Sequence, residues 1–89
     1  MKDEIIAVVA DHLDIDPANL DESRTLEDLQ IDSLDLVEIM FEVEETFDAP
    51  LISEIQEQRH QIHNFGDMLR ITEALIRQHR AAESARPSA

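Results

Sequence analysis

Between Leu36 and Phe47 the apolar residues Leu36, Ile39, Met40, Val43 and Phe47 recur at offsets of three, four, seven and eleven. At 100° per residue they share one side of a helix, whereas a strand would divide them between its two faces. One glycine and three prolines in 89 residues leave few places for sharp turns, and no cysteine is present to staple a turn-rich fold. The chain must therefore build its core from amphipathic helices. At this length it builds one modest core in one domain.

The flanking stretches agree. A first helix is expected from about Asp3 to Leu13, where Ile5, Val9 and Leu13 recur every four residues with Ile6 and Val8 beside them. Asp3 and Glu4 suit its dipole. Residues 14–31 form a long connection, turned at Asp16-Pro17 and pinned by Leu20, Leu26, Leu29 and Ile31. The second helix should open at Asp32, a good N-cap, with Asp35 completing a box-like arrangement, and should run to about Phe47. Ala49-Pro50 breaks it. Ser53 with Gln56 reads as a capping box for a short helix near Glu54–Gln61. Asn64 caps a last helix whose stripe is Phe65, Met68, Leu69, Thr72, Leu75 and Ile76, closed by Arg77, His79 and Arg80. The sum is all-α: a small antiparallel four-helix bundle, three helices long and one short. Residues 1–80 make the domain, and 81–89 read as a flexible tail.

The face of the second helix opposite its core stripe should be polar, yet it carries Leu34 and Phe41, with Val37 nearby. Glu38 and Glu45 are interleaved with them, and Asp35, Glu42 and Glu44 flank them. Single exposed apolar residues are ordinary. Three in register inside an acidic rim look like a docking surface. The formal net charge is −14, and residues 1–58 hold 18 of the 21 acids. Such a surface repels nucleic acid and anionic membranes and favours a basic protein partner. No apolar run approaches a membrane span. Met1-Lys2-Asp3-Glu4 turns acidic where a secretory leader is basic and then apolar, so a cytoplasmic location is expected.

Ser33 follows the Asp32 cap. A phosphate ester on its hydroxyl would face free backbone N–H groups and the positive end of the dipole. As a catalytic nucleophile it lacks a glycine-rich elbow and a neighbouring base. A tolerated first-turn residue is the plain alternative, and physics alone leaves the two open. No metal site is expected. Asp14, Asp16 and Asp21 do not make an EF-hand, because Asn19 and Thr25 stand where glycine and glutamate are needed. His60, His63 and Glu57 read as solvated residues on a short helix, and His12 as a packing residue.

The run Leu29-Gln30-Ile31-Asp32-Ser33-Leu34-Asp35-Leu36-Val37-Glu38, continued by Glu42-Val43-Glu44-Glu45-Thr46-Phe47-Asp48, resembles the attachment segment of acyl carrier proteins. The resemblance is sharp over residues 24–48. It implies that Ser33, flanked by Asp32, receives 4′-phosphopantetheine from coenzyme A through a separate phosphopantetheinyl transferase. The arm's thiol would then carry acyl groups as thioesters, with no catalysis by the carrier itself. It also implies that Leu34, Asp35, Val37, Glu38, Phe41, Glu44 and Glu45 form a docking face for acyl-loading, acyl-modifying and acyltransferase enzymes with basic patches. The carrier would be a monomer serving lipid, fatty-acid or polyketide-type synthesis. An aminoacyl or peptidyl carrier, and an acidic adaptor without a prosthetic group, are the alternatives. Three departures suggest a specialised member. Gln30 stands where the motif usually has glycine, the segment from Phe47 to Phe65 is a few residues longer, and the last helix is basic.

Overall fold

The structure is a computed structural model and describes residues 1–84. Its helices are α1 (Lys2–Leu13), α2 (Ser33–Phe47), α3 (Ile52–Glu57) and α4 (Phe65–Ser84), with 3-10 turns at Pro17–Asn19 and Arg59–Gln61. Helix α1 packs on α2 and α4, while α3 bridges α2 and α4. The described residues hold no strand, only an isolated bridge between Thr25 and Asn64. This is the expected small helical bundle, with three long helices and one short.

The core is the meeting of the apolar stripes. Leu36, Ile39, Met40, Val43 and Phe47 of α2 are all buried, as are Ile5 and Val9 of α1. From α4 come Phe65, Met68, Leu69, Leu75 and Ile76, together with Thr72. Burying one such apolar side chain contributes about 1.5–3 kcal/mol, so the stripes outweigh any single cap. The Thr72 hydroxyl has no hydrogen-bond partner among the described residues, a cost of about 1–3 kcal/mol set against that packing.

The long connection is held at both levels. Leu20 and Ile31 are buried, and Leu26 and Leu29 pack against the core. Its aspartates work locally, Asp16 accepting from the Ala18 N–H and Asp21 from the Ser23 N–H. The start of α4 is stitched to it, with the Phe65 N–H on the Arg24 carbonyl and the Gly66 N–H on the Glu22 carbonyl, each at 2.9 Å. The chain's single glycine is used here, since a Cβ at Gly66 would lie 3.1 Å from the Glu22 carbonyl oxygen.

Two expectations are corrected. The short helix is Ile52–Glu57 rather than Glu54–Gln61, and no side chain of its own caps it, so the Ser53/Gln56 box does not form. The Glu44 carboxylate of α2 takes that place, accepting from the N–H groups of Leu51 and Ile52. A charged acceptor from a packed neighbour outcompetes a local serine, and the shift carries the helix start back to Ile52. Helix α4 does not end near Arg80 but continues to Ser84, so the expected tail from 81 begins as helix. Its remainder, 85–89, lies outside the described residues.

Gln30 has φ 59°, in the left-handed region. Its conformation is fixed by the flanking bonds from the Gln30 N–H to the Glu27 carbonyl and from the Ile31 N–H to the Leu26 carbonyl. A side chain there is strained by about 1–2 kcal/mol, and glycine is not. Gln30→Gly should therefore raise stability by about 0.5–1 kcal/mol after the extra chain entropy of glycine is offset. Urea denaturation of both proteins checks this; an unchanged or lower midpoint would show that strain at Gln30 is not the controlling term.

Candidate functional site

The site is built from the first turn of α2. The Asp32 Oδ1 accepts from the Asp35 N–H at 2.8 Å, and the Asp35 Oδ2 accepts from the Asp32 N–H at 3.4 Å. This reciprocal box fixes where the helix begins. The first helical residue is then Ser33, which is exposed. Among the described residues its hydroxyl takes part in no side-chain hydrogen bond, so it is not spent on the cap. The Asp35 carboxyl is held below the usual carboxylate range, first by the Asp32 N–H and then by His12. A depressed carboxylate stabilises the fold above its unfolded value of about 4. That contribution is lost as pH falls through the folded value, so the box weakens only in acid.

Beside Ser33 a slot opens between α2 and α3. Leu36, Val37, Met40, Ile52 and Ile55 line it, with Gln56 and Arg59 at its rim. Its volume is about 60 Å³, about two waters' worth of space. Helix α3 has six residues and takes its N-terminal cap from Glu44 of α2 rather than from a side chain of its own. Short elements with few contacts of their own open most readily.

The outward face of α2 is now explicit. Leu34 is 66% and Phe41 55% exposed. Glu38 and Glu45 are exposed in the same register, so Leu34, Glu38, Phe41 and Glu45 run down one face. That stripe spans about 16 Å at 1.5 Å per residue. The other expected docking residues also make contacts within the fold. Val37 is half-buried and lines the slot. Glu44 is half-buried and caps α3. Asp35 is half-buried in the capping box.

The sequence pattern makes His12 a packing residue, and the structure gives it charged neighbours as well. It is half-buried on α1, and its Nε2 lies 3.4 Å from Asp35 Oδ1 and 3.6 Å from Glu38 Oε2. No local pattern signals this, because 23 residues separate His12 from Asp35. His60 and His63 are both exposed, and among the described residues the group of three converging His, Asp or Glu donors is His12, Asp35 and Glu38.

The first turn of α2 thus brings together an exposed serine opening a capped helix, an adjoining apolar slot and a face of apolar knobs among carboxylates. The family model described as a phosphopantetheine attachment site matches residues 3–61. The acyl carrier protein of Wolinella succinogenes is 38% identical over 72 residues, covering 80% of this chain and 91% of that protein. The acyl carrier protein of Chlamydia muridarum is 37% identical over 71 residues, covering 79% and 88%. That of Helicobacter pylori is 38% identical over 72 residues, covering 80% and 88%. At the same stringency no solved structure matches. The chain belongs to the acyl carrier protein family. Its function is to carry acyl groups, and its prosthetic group is 4′-phosphopantetheine. Such a role entails interaction with acyl-handling enzymes. These matches do not favour an aminoacyl or peptidyl carrier, or an adaptor without a prosthetic group.

Leu34→Ala should leave the melting temperature nearly unchanged, because truncating so exposed a side chain costs no more than about 0.5 kcal/mol. A circular-dichroism melt measures that. A large drop would place Leu34 in the core and shift the whole wheel of α2.

Proposed function

We propose that Ser33 is the attachment residue and that α2 is the element partner enzymes grip. The observation that carries this reading is the placement of Ser33. It is the first residue of a capped helix, with its hydroxyl in solvent and the slot beside it. The residues fit the prosthetic group. A phosphodiester on Ser33 would stand at the positive end of the α2 dipole, near N–H groups that the Asp32 side chain does not take. When bound, the arm supplies a terminal thiol that holds an acyl group as a thioester.

The chain's own residues do the rest. Asp32 and Asp35 hold the start of α2 rigid, so the arm leaves from a fixed point. Leu36, Val37, Met40, Ile52 and Ile55 give the near end of a cargo an apolar wall out of water. Leu34 and Phe41 supply buried contact in a complex, while Glu38 and Glu45 supply rate and register against basic partners. Asp35, Val37 and Glu44 lie on the margins of that face, where a partner would meet their helix turns.

The reading assigns the chain no catalysis of its own. Its partners are a phosphopantetheinyl transferase and enzymes that load, modify or transfer acyl groups of lipid, fatty-acid or polyketide type. No described helix is long and apolar enough to cross a membrane. The proposed setting is the cytoplasm, as a monomer, without nucleic acid or membrane insertion.

Incubation with coenzyme A, Mg²⁺ and a broad-specificity phosphopantetheinyl transferase, read by intact mass, tests the attachment. Wild type should gain a single phosphopantetheine and Ser33→Ala none. A modified Ser33→Ala would move the attachment elsewhere. A folded wild type that stays unmodified with the transferase of its own source would overturn the reading.

A further inference from the structure

We propose that His12, Asp35 and Glu38 form a site for a transition-metal dication of the Zn²⁺ type that ties α1 to α2. The donors come from two helices and face one point. His12 Nε2 is 3.4 Å from Asp35 Oδ1 and 3.6 Å from Glu38 Oε2, and the three donor atoms lie within 4.8 Å of one another. The His12–Asp35 separation is that of a long hydrogen bond, and both separations from His12 also match the edge of a tetrahedron around Zn²⁺. Bonds of about 2.0–2.1 Å place neighbouring ligands about 3.4 Å apart. The edge between the two carboxylates closes by a rotamer adjustment of Glu38, which is exposed and free to make it.

The surroundings suit a metal ligand set. Asp35 Oδ2 accepts from the Asp32 N–H, which turns Oδ1 toward His12. Metal-binding carboxylates are commonly oriented by such an outer hydrogen bond. An open hollow lined by His12, Asp28 and Asp35 adjoins the site and gives an ion a route from solvent, with room for water as a fourth ligand. Arg24 also lines that hollow and is the basic side chain on it besides His12. The imidazole decides the class of ion. Oxygen-only clusters take Ca²⁺ or Mg²⁺, whereas an imidazole nitrogen favours Zn²⁺ and its neighbours in the series. An ion bound here takes the place of the proton between His12 Nε2 and Asp35 Oδ1.

An ion here would neutralise two carboxylates next to the exposed stripe of α2 and brace the helix that presents Ser33. The site involves no prosthetic group, so it is tested on the unmodified protein and stands apart from the attachment at Ser33. Isothermal titration with Zn²⁺ should show one saturable equivalent per chain. His12→Gln and Glu38→Gln should each weaken it at least tenfold. Glu38→Gln alters an exposed side chain and keeps the fold, and a two-dimensional amide spectrum verifies both variants. The double variant His60→Gln/His63→Gln should bind Zn²⁺ as wild type does. Absence of saturable Zn²⁺ binding by wild type overturns the proposal. So does His12→Gln affinity within twofold of wild type, or a loss that follows His60 and His63.

Discussion

The reciprocal hydrogen bonds between Asp32 and Asp35 determine where α2 begins, and most of the functional geometry depends on that register. A helix starting one residue later would place Ser33 in the cap, with its hydroxyl committed to a backbone N–H. A helix starting one residue earlier would draw Ser33 into the turn. Because Asp32 takes the cap, the serine becomes the first helical residue with its hydroxyl in solvent. Packing of the apolar stripe sends Leu36, Ile39, Met40, Val43 and Phe47 into the core and leaves Leu34 and Phe41 outside. Local capping, worth about 1 kcal/mol, sets where the helix starts, while the larger packing energy sets which face is buried.

The acids of α2 divide into distinct tasks despite their similar appearance in the sequence. Asp35 completes the cap and faces His12. Glu44 holds the start of α3. Glu38 and Glu45 remain exposed between the apolar knobs. A partner reading this surface by charge alone would meet all of them together with exposed Glu42, but Asp35 and Glu44 are already engaged within the fold. The slot's two walls are α2 and α3, and the carboxylate that anchors α3 belongs to α2.

The helices and their buried faces were legible because each is a periodic stripe, and Asp32, Asp35 and Asn64 are capping residues in local patterns. Three features were not. Glu44 reaches across a loop to Leu51 and Ile52, a tertiary contact that overrides the local Ser53/Gln56 signal. His12 meets Asp35 and Glu38 only once α1 packs on α2. The inward lean of Val37 toward the slot depends on where α3 settles. Gln30 lies between these cases. The departure from glycine was visible, but its physical meaning, a left-handed residue carrying a side chain, needed the backbone. The placement of Ser33 was legible, while its chemistry came from resemblance, since a solvent-exposed first-turn serine has several ordinary explanations.

Peptide mapping by tandem mass spectrometry of the protein isolated from its own cells decides whether Ser33 bears the arm. The expected result is a phosphopantetheine ester on the peptide containing Ser33, released as the characteristic pantetheine fragment, with the rest of the chain unmodified. An unmodified Ser33, in an extract whose other carriers bear the arm, would contradict it.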